Sequence, residues 1–353
     1  MNQAERIEAL AVRHDLPDDE LLPLLASPLD GAQKQRLYAL AAAECEKYYG
    51  REVYLRGLIE FTSVCRNDCL YCGLRRSNTD AQRYRLTQDE ILSCCRQGYA
   101  LGLRTFVLQG GEDGYFTDAR LCGIVRAIKS EFPDCAVTLS VGERSRESYA
   151  ALYAAGAERY LLRHETADCE HYARLHPSEL SAAHRQQCLY DLKDIGYQVG
   201  CGMMLGAPYQ TPRHILADLR FMQRLQPHMI GMGPFIPHRD TPFAAFPAGT
   251  LDDTLRLLSI VRLMFPQVLL PATTALGTIH PQGREMGILA GANVIMPNLS
   301  PESVRAKYLL YDGKTGTDSE AAQNCEDLCR RMQGIGRRVV VSRGDHITRQ
   351  GKR

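Results

Sequence analysis

The chain has 353 residues, 45% hydrophobic and 24% charged, which is enough for one large domain or two ordinary ones around a sizeable core. Its formal net charge is +1, with basic residues dispersed until the extreme carboxyl end, so nothing calls for nucleic acid as a partner. The amino terminus carries charge without an apolar signal core, and no run of about 18 apolar residues occurs, so no membrane partner is expected and the cytoplasm is. Thirteen cysteines, an odd number, then read as reduced thiols and metal ligands in preference to a disulfide framework.

Residues 1 to about 50 lack strand signals and repeat apolar residues at helical spacing, as in Ile7, Leu10 and Ala11 and again in Leu37, Leu40, Ala41, Ala42 and Cys45. They are expected to form a helical extension covering the bottom of the main fold. Residues 53–61 read as the first strand, and Cys65, Cys69 and Cys72 come directly after it. From there one alternation repeats. Thr87 and Glu90 make a capping box that opens a helix running to about Gly102. An apolar strand over 105–111 ends in Gly110 and Gly111; helical signals at 119–132 lead to a third strand at 136–143. A helix closed by Gly156 precedes the fourth strand at 160–166, and one closed by Gly196 precedes the fifth at 198–206. Thr211 as N-cap and Pro212 at the first helical position start the next helix, which leads to a strand at 229–236. A helix across 251–265, a strand at 269–275, a short helix across 283–292 and an eighth strand at 294–298 complete the series.

Eight apolar strand candidates, each followed by a helical pattern, match the order and the typical length of about 250 residues of a TIM barrel. Near-continuous apolar strands are what a parallel sheet covered by helices requires. The expected fold class is α/β: a complete (β/α)8 TIM barrel over 51–312, a helical N-terminal extension over 1–50 and a C-terminal helical and basic extension over 313–353. The basic end from Arg337 is expected to be a solvated tail. A doubly wound open sheet is the structural alternative.

Three thiols on one loop cannot all pair with one another, and a tetrahedral zinc site would need a fourth ligand from elsewhere. An iron-sulfur cube can instead take three thiolates and leave one iron open. A chance cluster of buried thiols, or a partial zinc knuckle, is the bland alternative. The CxxxCxxC spacing of Cys65, Cys69 and Cys72, with Tyr71 before the last cysteine, resembles the signature of the radical S-adenosylmethionine (radical SAM) enzymes. That resemblance implies one 4Fe-4S cluster whose open iron chelates the amino and carboxylate groups of SAM, and an injected electron that cleaves SAM to a 5'-deoxyadenosyl radical.

Beyond this loop the chain from about 50 to 312 is similar to the HydE family of FeFe-hydrogenase maturases. The likeness rests on CRNDCLYCGLRR at 65–76, LQGGED at 108–113, YLLRHETA at 160–167, GPFIPH at 233–238, PATTA at 271–275, GANVIMPN at 291–298 and YLLYDG at 308–313. Gly110 and Gly111 would let backbone approach a ligand closely and Glu112 could accept from an ammonium, a tight turn being the alternative. Arg163 and Glu165 at a strand end place charge in the barrel mouth, which is expensive without a polar ligand or partner. Arg185 is placed like the family's ligand of the SAM carboxylate; from the sequence alone it reads equally as a solvated helix charge. Tyr71, Ser140, Glu143 and Met204 complete the expected cofactor contacts. Thr138, Arg163, Thr273, Thr274 and Met296 are the expected substrate contacts, although methionines are usually core filler. Tyr308 and Tyr311 are catalytic candidates for closing the mouth or relaying an electron and a proton, with an ordinary amphipathic pair as the alternative.

The substrate that the resemblance implies is a small cysteine-bound iron complex with carbonyl and cyanide ligands; the implied partners are other hydrogenase maturases and a reductant protein. Some members carry three further cysteines for an auxiliary cluster. Here residues 314–316 contain no thiol and only Cys325 and Cys329 remain nearby, so no auxiliary cluster is expected. Cys94, Cys95, Cys122, Cys135, Cys169, Cys188 and Cys201 read as packing, and His164, His171 and His176 lack the spacing of a zinc helix. The nearest rival is methylornithine synthase, a lysine mutase that needs an acidic or polar clamp for the lysine ammonium. A rival of another class is a non-catalytic zinc- or cluster-stabilised scaffold.

Overall fold

The structure is a computed structural model and describes residues 1–315 and 321–349. Three helices lead in: α1 (Gln3–Arg13), α2 (Asp18–Ala26) and α3 (Gly31–Tyr49). α1 and α3 open on capping boxes, Asn2 with Glu5 and Asp30 with Gln33, each satisfying two otherwise orphaned backbone N–H groups. Their apolar stripes, including Ile7, Leu10 and Leu37, are fully buried.

The strands and helices then alternate as β1 (Glu52–Leu55), β2 (Gly57–Thr62), α4 (Gln88–Ala100), β3 (Thr105–Gly110), α5 (Asp118–Glu131), β4 (Ala136–Ser140), α6 (Arg146–Ala154) and β5 (Ala157–Leu161). They continue through α7 (Cys169–Leu175), α8 (Ala182–Ile195), β6 (Gln198–Leu205), α9 (Pro212–Leu225), β7 (Met229–Pro234), α10 (Leu251–Met264), α11 (Thr274–Ile279), α12 (Gly283–Leu289), β8 (Val294–Ile295) and α13 (Glu302–Arg305). α14 (Ala321–Gly334) and β9 (Arg338–Val340) come last.

Six strands form one parallel sheet in the order β2-β3-β4-β5-β6-β7, and β8-β1-β9 form a second. Strand residues such as Phe106, Leu108, Val137, Leu139, Ile230 and Met232 are completely buried, because helices cover one face and the opposing strands the other. Burying each contributes roughly 1.5–3 kcal/mol.

The expectation of eight regular strands in one closed sheet is corrected in three places. The first strand is divided at Arg56, and the seventh, 269–275, makes single bridges in place of a ladder: Met229 with Leu269 and Pro271 with Val294. Pro271 has no N–H to give a ladder, and from Thr274 the backbone turns into α11. The eighth is two residues long and is followed by a bridge between Leu58 and Asn298, beside Pro297.

The base is also not as expected. The leading helices lie on the flank, with α2 against α9 and α3 against α10. The carboxyl-terminal segment covers the amino ends of the strands instead. β9 pairs in parallel with β1, and Arg343 to Asp345 then run beneath the strand starts. Arg159 donates to the Arg343 carbonyl at 2.8 Å and to Asp345 at 2.6 Å. Thr105 donates to the Arg343 carbonyl and Gln198 to Asp345, both at 2.8 Å, and Arg56 reaches the Gly344 carbonyl at 3.2 Å. The segment through Arg349 is therefore structured and no solvated tail, while residues 350–353 lie outside the described residues. Among the described residues no helix is long and apolar enough to cross a membrane.

Candidate active site

A cavity of about 350 Å³ opens at the carboxyl ends of the strands. Of the expected site residues, Cys69, Cys72 and Tyr71 line it from the loop after β2, Gly110 and Ser140 from the ends of β3 and β4, and Arg163 and Glu165 from beyond β5. Arg185 of α8, Met204 of β6, Thr273, Thr274, Met296, Tyr308 and Tyr311 complete the same wall. Thr138 stands apart, lining a water-sized cavity of about 10 Å³ at the base with Arg56 and Arg159.

Hydrogen bonds made by its own side chains fix the cysteine loop. Arg83 donates to the carbonyls of Ser63, Leu74, Arg75 and Asn78 at 2.6–3.1 Å. Asp68 accepts both guanidinium arms of Arg75 at 2.8 Å, together with the amide and hydroxyl of Ser77. Glu112, expected at a ligand, also anchors this loop. Its Oε2 accepts from Arg66 at 3.0 and 3.1 Å, and its Oε1 accepts the Glu143 N–H at 2.9 Å. Two glycines make the room. A Cβ on Gly111 would stand 2.3 Å from the Val64 carbonyl and 2.7 Å from Cys65, and one on Gly142, whose φ is +77°, would overlap the Glu112 carboxylate.

Burial raises all three thiols of the loop, Cys72 to about 12, and for Cys69 the nearness of Cys72 and Cys65 raises it further. The three are thus close enough to repel as thiolates, which is the condition that a bound cation relieves. Among the described residues no three His, Cys, Asp or Glu side chains converge as ligands of a single metal ion. A cube, whose thiolates sit on different irons, accepts the wider arrangement, so the donor set fits three-thiolate ligation.

Next to the thiols, the Tyr71 hydroxyl meets His176 Nε2 at 3.1 Å, and His176 Nδ1 meets the Tyr172 carbonyl at 3.0 Å. The carbonyl accepts only, so the imidazole proton sits on Nδ1 and Tyr71 donates to Nε2. Burial, reinforced by Arg185, pushes His176 down to about 3 and keeps it neutral. Arg185 is itself buried and held by Glu143 at 2.6 Å, so it is no solvated helix charge. Glu165 pairs with Arg163 at 2.8 Å and has a left-handed backbone, φ 62°.

At the opposite wall the sequence reading missed a pair. Lys314 donates to Glu60 Oε1 at 2.5 Å and to the Tyr308 carbonyl at 2.9 Å, with its ammonium 4.9 Å from the centre of the Tyr308 ring. Both side chains are nearly inaccessible and both line the cavity. A lone carboxylate inside a six-residue strand that is buried throughout was the available signal for Glu60. The Thr273 hydroxyl and the Arg163 Nε are buried there without a protein partner. Gly73 N–H to the Leu310 carbonyl at 2.9 Å, and Asp312 N–H to the Pro237 carbonyl at 3.1 Å, strap residues 308–312 between the cysteine loop and the loop after β7. Cys325 and Cys329 do not line the cavity, and Cys169 is exposed where packing was expected.

Residues 59–222 match the Radical SAM superfamily. The chain is 45% identical over 295 residues to the [FeFe] hydrogenase maturase subunit HydE of Thermotoga maritima, covering 84% of each chain. It is 29% identical over 326 residues to 3-methylornithine synthase of Methanosarcina barkeri, covering 92% of this chain and 90% of that one. Among solved structures, methylornithine synthase superposes with a TM-score of 0.83 at 26% identity, over 95% of this chain and 97% of that one. The hydrogenase maturase HydG gives 0.82 at 20% identity, over 96% and 76%, a likeness of fold.

Proposed function

Because this chain belongs to the HydE family of [FeFe]-hydrogenase maturases within the radical SAM superfamily, we propose that its cavity holds SAM at the cysteine-loop end and a small anionic substrate at the Tyr308 end. It is a radical SAM enzyme with a role in FeFe-hydrogenase maturation. The family implies a 4Fe-4S cluster and SAM, and Cys65, Cys69 and Cys72 are the residues that would hold the cluster. When bound, that cluster supplies an open iron and the electron for SAM cleavage.

In this reading Arg185, fixed by Glu143, faces the SAM carboxylate, and Glu165 accepts from its amino group. Tyr71, oriented by neutral His176, packs beside the thiols and excludes water. Ser140, Gly110 and Met204 fill the adjoining wall. The observation that carries the substrate class is the pairing of the cavity's acids. Glu60 is matched by Lys314 and Glu165 by Arg163, whereas Lys314 keeps a third N–H and the Thr273 hydroxyl is without a protein partner. A wall that offers donors suits an acceptor-rich, anionic molecule, and a cysteine-bound iron complex with carbonyl and cyanide ligands is one. A lysine mutase would want an open carboxylate for the substrate ammonium at the Tyr308 end, and Glu60 there is already held by Lys314 and Asn298.

The bridges at Leu269, Pro271 and Asn298 support reading the sheet as a barrel that closes through single hydrogen bonds. We further place the protein in the cytoplasm, with the other maturases and a reductant protein as partners and a single cluster per chain. Anaerobic reconstitution with dithionite and SAM tests the enzyme reading, since 5'-deoxyadenosine must form. Methylornithine formed from added lysine would move the assignment to the mutase. Iron near eight per chain, against about four for one cube, would show a second cluster.

A further inference from the structure

We propose that Asp218 and His164, neither of which lines the cavity, form a buried positioning pair that holds the Glu165 backbone left-handed and so aims its carboxylate at SAM; the inference rests on the reading of Glu165 as a SAM contact.

A φ of 62° at a residue other than glycine is uncommon and persists only where the surroundings over-determine it. Three contacts do so here. Glu165 donates its N–H to the Gly202 carbonyl at 3.0 Å, and Thr166 N–H closes back on the His164 carbonyl at 2.8 Å. The Gly202 N–H in turn donates to His164 Nδ1 at 3.3 Å, so the imidazole proton is on Nε2. That nitrogen stands 3.3 Å from Asp218 Oδ1, and the same oxygen accepts the Ala167 N–H at 2.5 Å. Asp218 therefore bonds the chain at residue 167 and stands 3.3 Å from the His164 imidazole without a hydrogen bond to it, so that it contacts the chain on each side of Glu165. Both side chains of the pair have no exposed surface.

The alternation of side chains gives this grip its purpose. Arg163 and Glu165 both line the cavity, so His164 between them points outward toward α9, where it meets Asp218 and the edge of Phe221, ring centroids 4.9 Å apart. A fully buried carboxylate is costly unless its hydrogen bonds repay desolvation, and an apolar residue would pack equally well at that point of α9 if packing were all that was required. What the carboxylate adds is direction.

The test is a double-mutant cycle on the reconstituted protein, with SAM affinity measured by equilibrium dialysis and the thermal midpoint recorded alongside. Asp218→Leu is expected to weaken SAM binding by about tenfold, and Asp218→Asn, which keeps an acceptor for the Ala167 N–H and the packing against His164, to restore it. In a Glu165→Gln background Asp218→Leu is expected to change SAM affinity by less than about twofold, because its effect passes through the Glu165 carboxylate. An equal loss in both backgrounds would make Asp218 a general structural residue and overturn the proposal, as would unchanged affinity in Asp218→Leu beside a weakened Glu165→Gln. If Glu165→Gln alone binds SAM normally, the reading of Glu165 itself fails. His164→Leu runs through the same cycle with the same expectations should the Asp218→Leu chain not fold.

Discussion

A lysine ammonium and a carboxylate buried together, as Lys314 and Glu60 are, stabilise only as a pair. Removing one partner strands the other, at about 3–5 kcal/mol. Lys314→Met is expected to lower stability by about that amount in chemical unfolding, and Glu60→Gln combined with Lys314→Met to recover much of it. His176 makes a second prediction, in pH. Its folded value is depressed to about 3 by burial, below the ordinary value near 6.5. The unfolded chain then takes up the proton first, so stability is present in full above about pH 6.5 and is lost as pH falls, by up to about 1.4 kcal/mol per unit. Wild type should lose stability between pH 6.5 and 4 more steeply than His176→Gln. The sequence placed Cys69, Cys72, Arg163, Glu165, Thr273 and Thr274 together, and they share the cavity wall, because polar groups interrupt apolar strand ends; Thr138, expected with them, lies at the base. The Glu60 partnership was not, because it joins residues 254 apart in the chain. The structural partners of Glu112 were hidden for a related reason: Arg66 and the Glu143 amide, which hold its carboxylate, lie 46 and 31 residues away in the chain.

The cysteine loop depends more on its arginines than on regular secondary structure. Arg83 accounts for four backbone carbonyls that would otherwise need water. Arg83→Ala should cost about 2 kcal/mol and reduce iron retained after gel filtration, while Arg76→Ala should do neither. The alternation of strand and helix was readable from apolar runs and capping residues, and Thr87 with Glu90 caps α4 as expected. The seventh element was read as a regular strand because 269–271 is apolar; the proline that breaks its ladder was visible but weighed too lightly.

For the whole molecule, the base is the largest departure from expectation, since a basic carboxyl end carries no signal distinguishing a solvated tail from a seal. Burial alone would raise the Asp345 carboxyl, but Arg159 and Arg343 hold it well below the usual carboxylate range. A depressed carboxyl adds stability above its unfolded value and loses it as pH falls, here below about pH 4. Asp345→Ala should leave Arg159 buried and unpaired, lowering the midpoint of urea unfolding at pH 7 while shrinking the difference from wild type at pH 3. Residues 308–314 strap the mouth and residues 338–346 seal the base, so one late stretch of chain crosses both openings. During synthesis the thiols at 65–72 leave the ribosome more than two hundred residues before that stretch exists. Iron delivered to the nascent chain would meet the thiols before either the strap or the seal is in place.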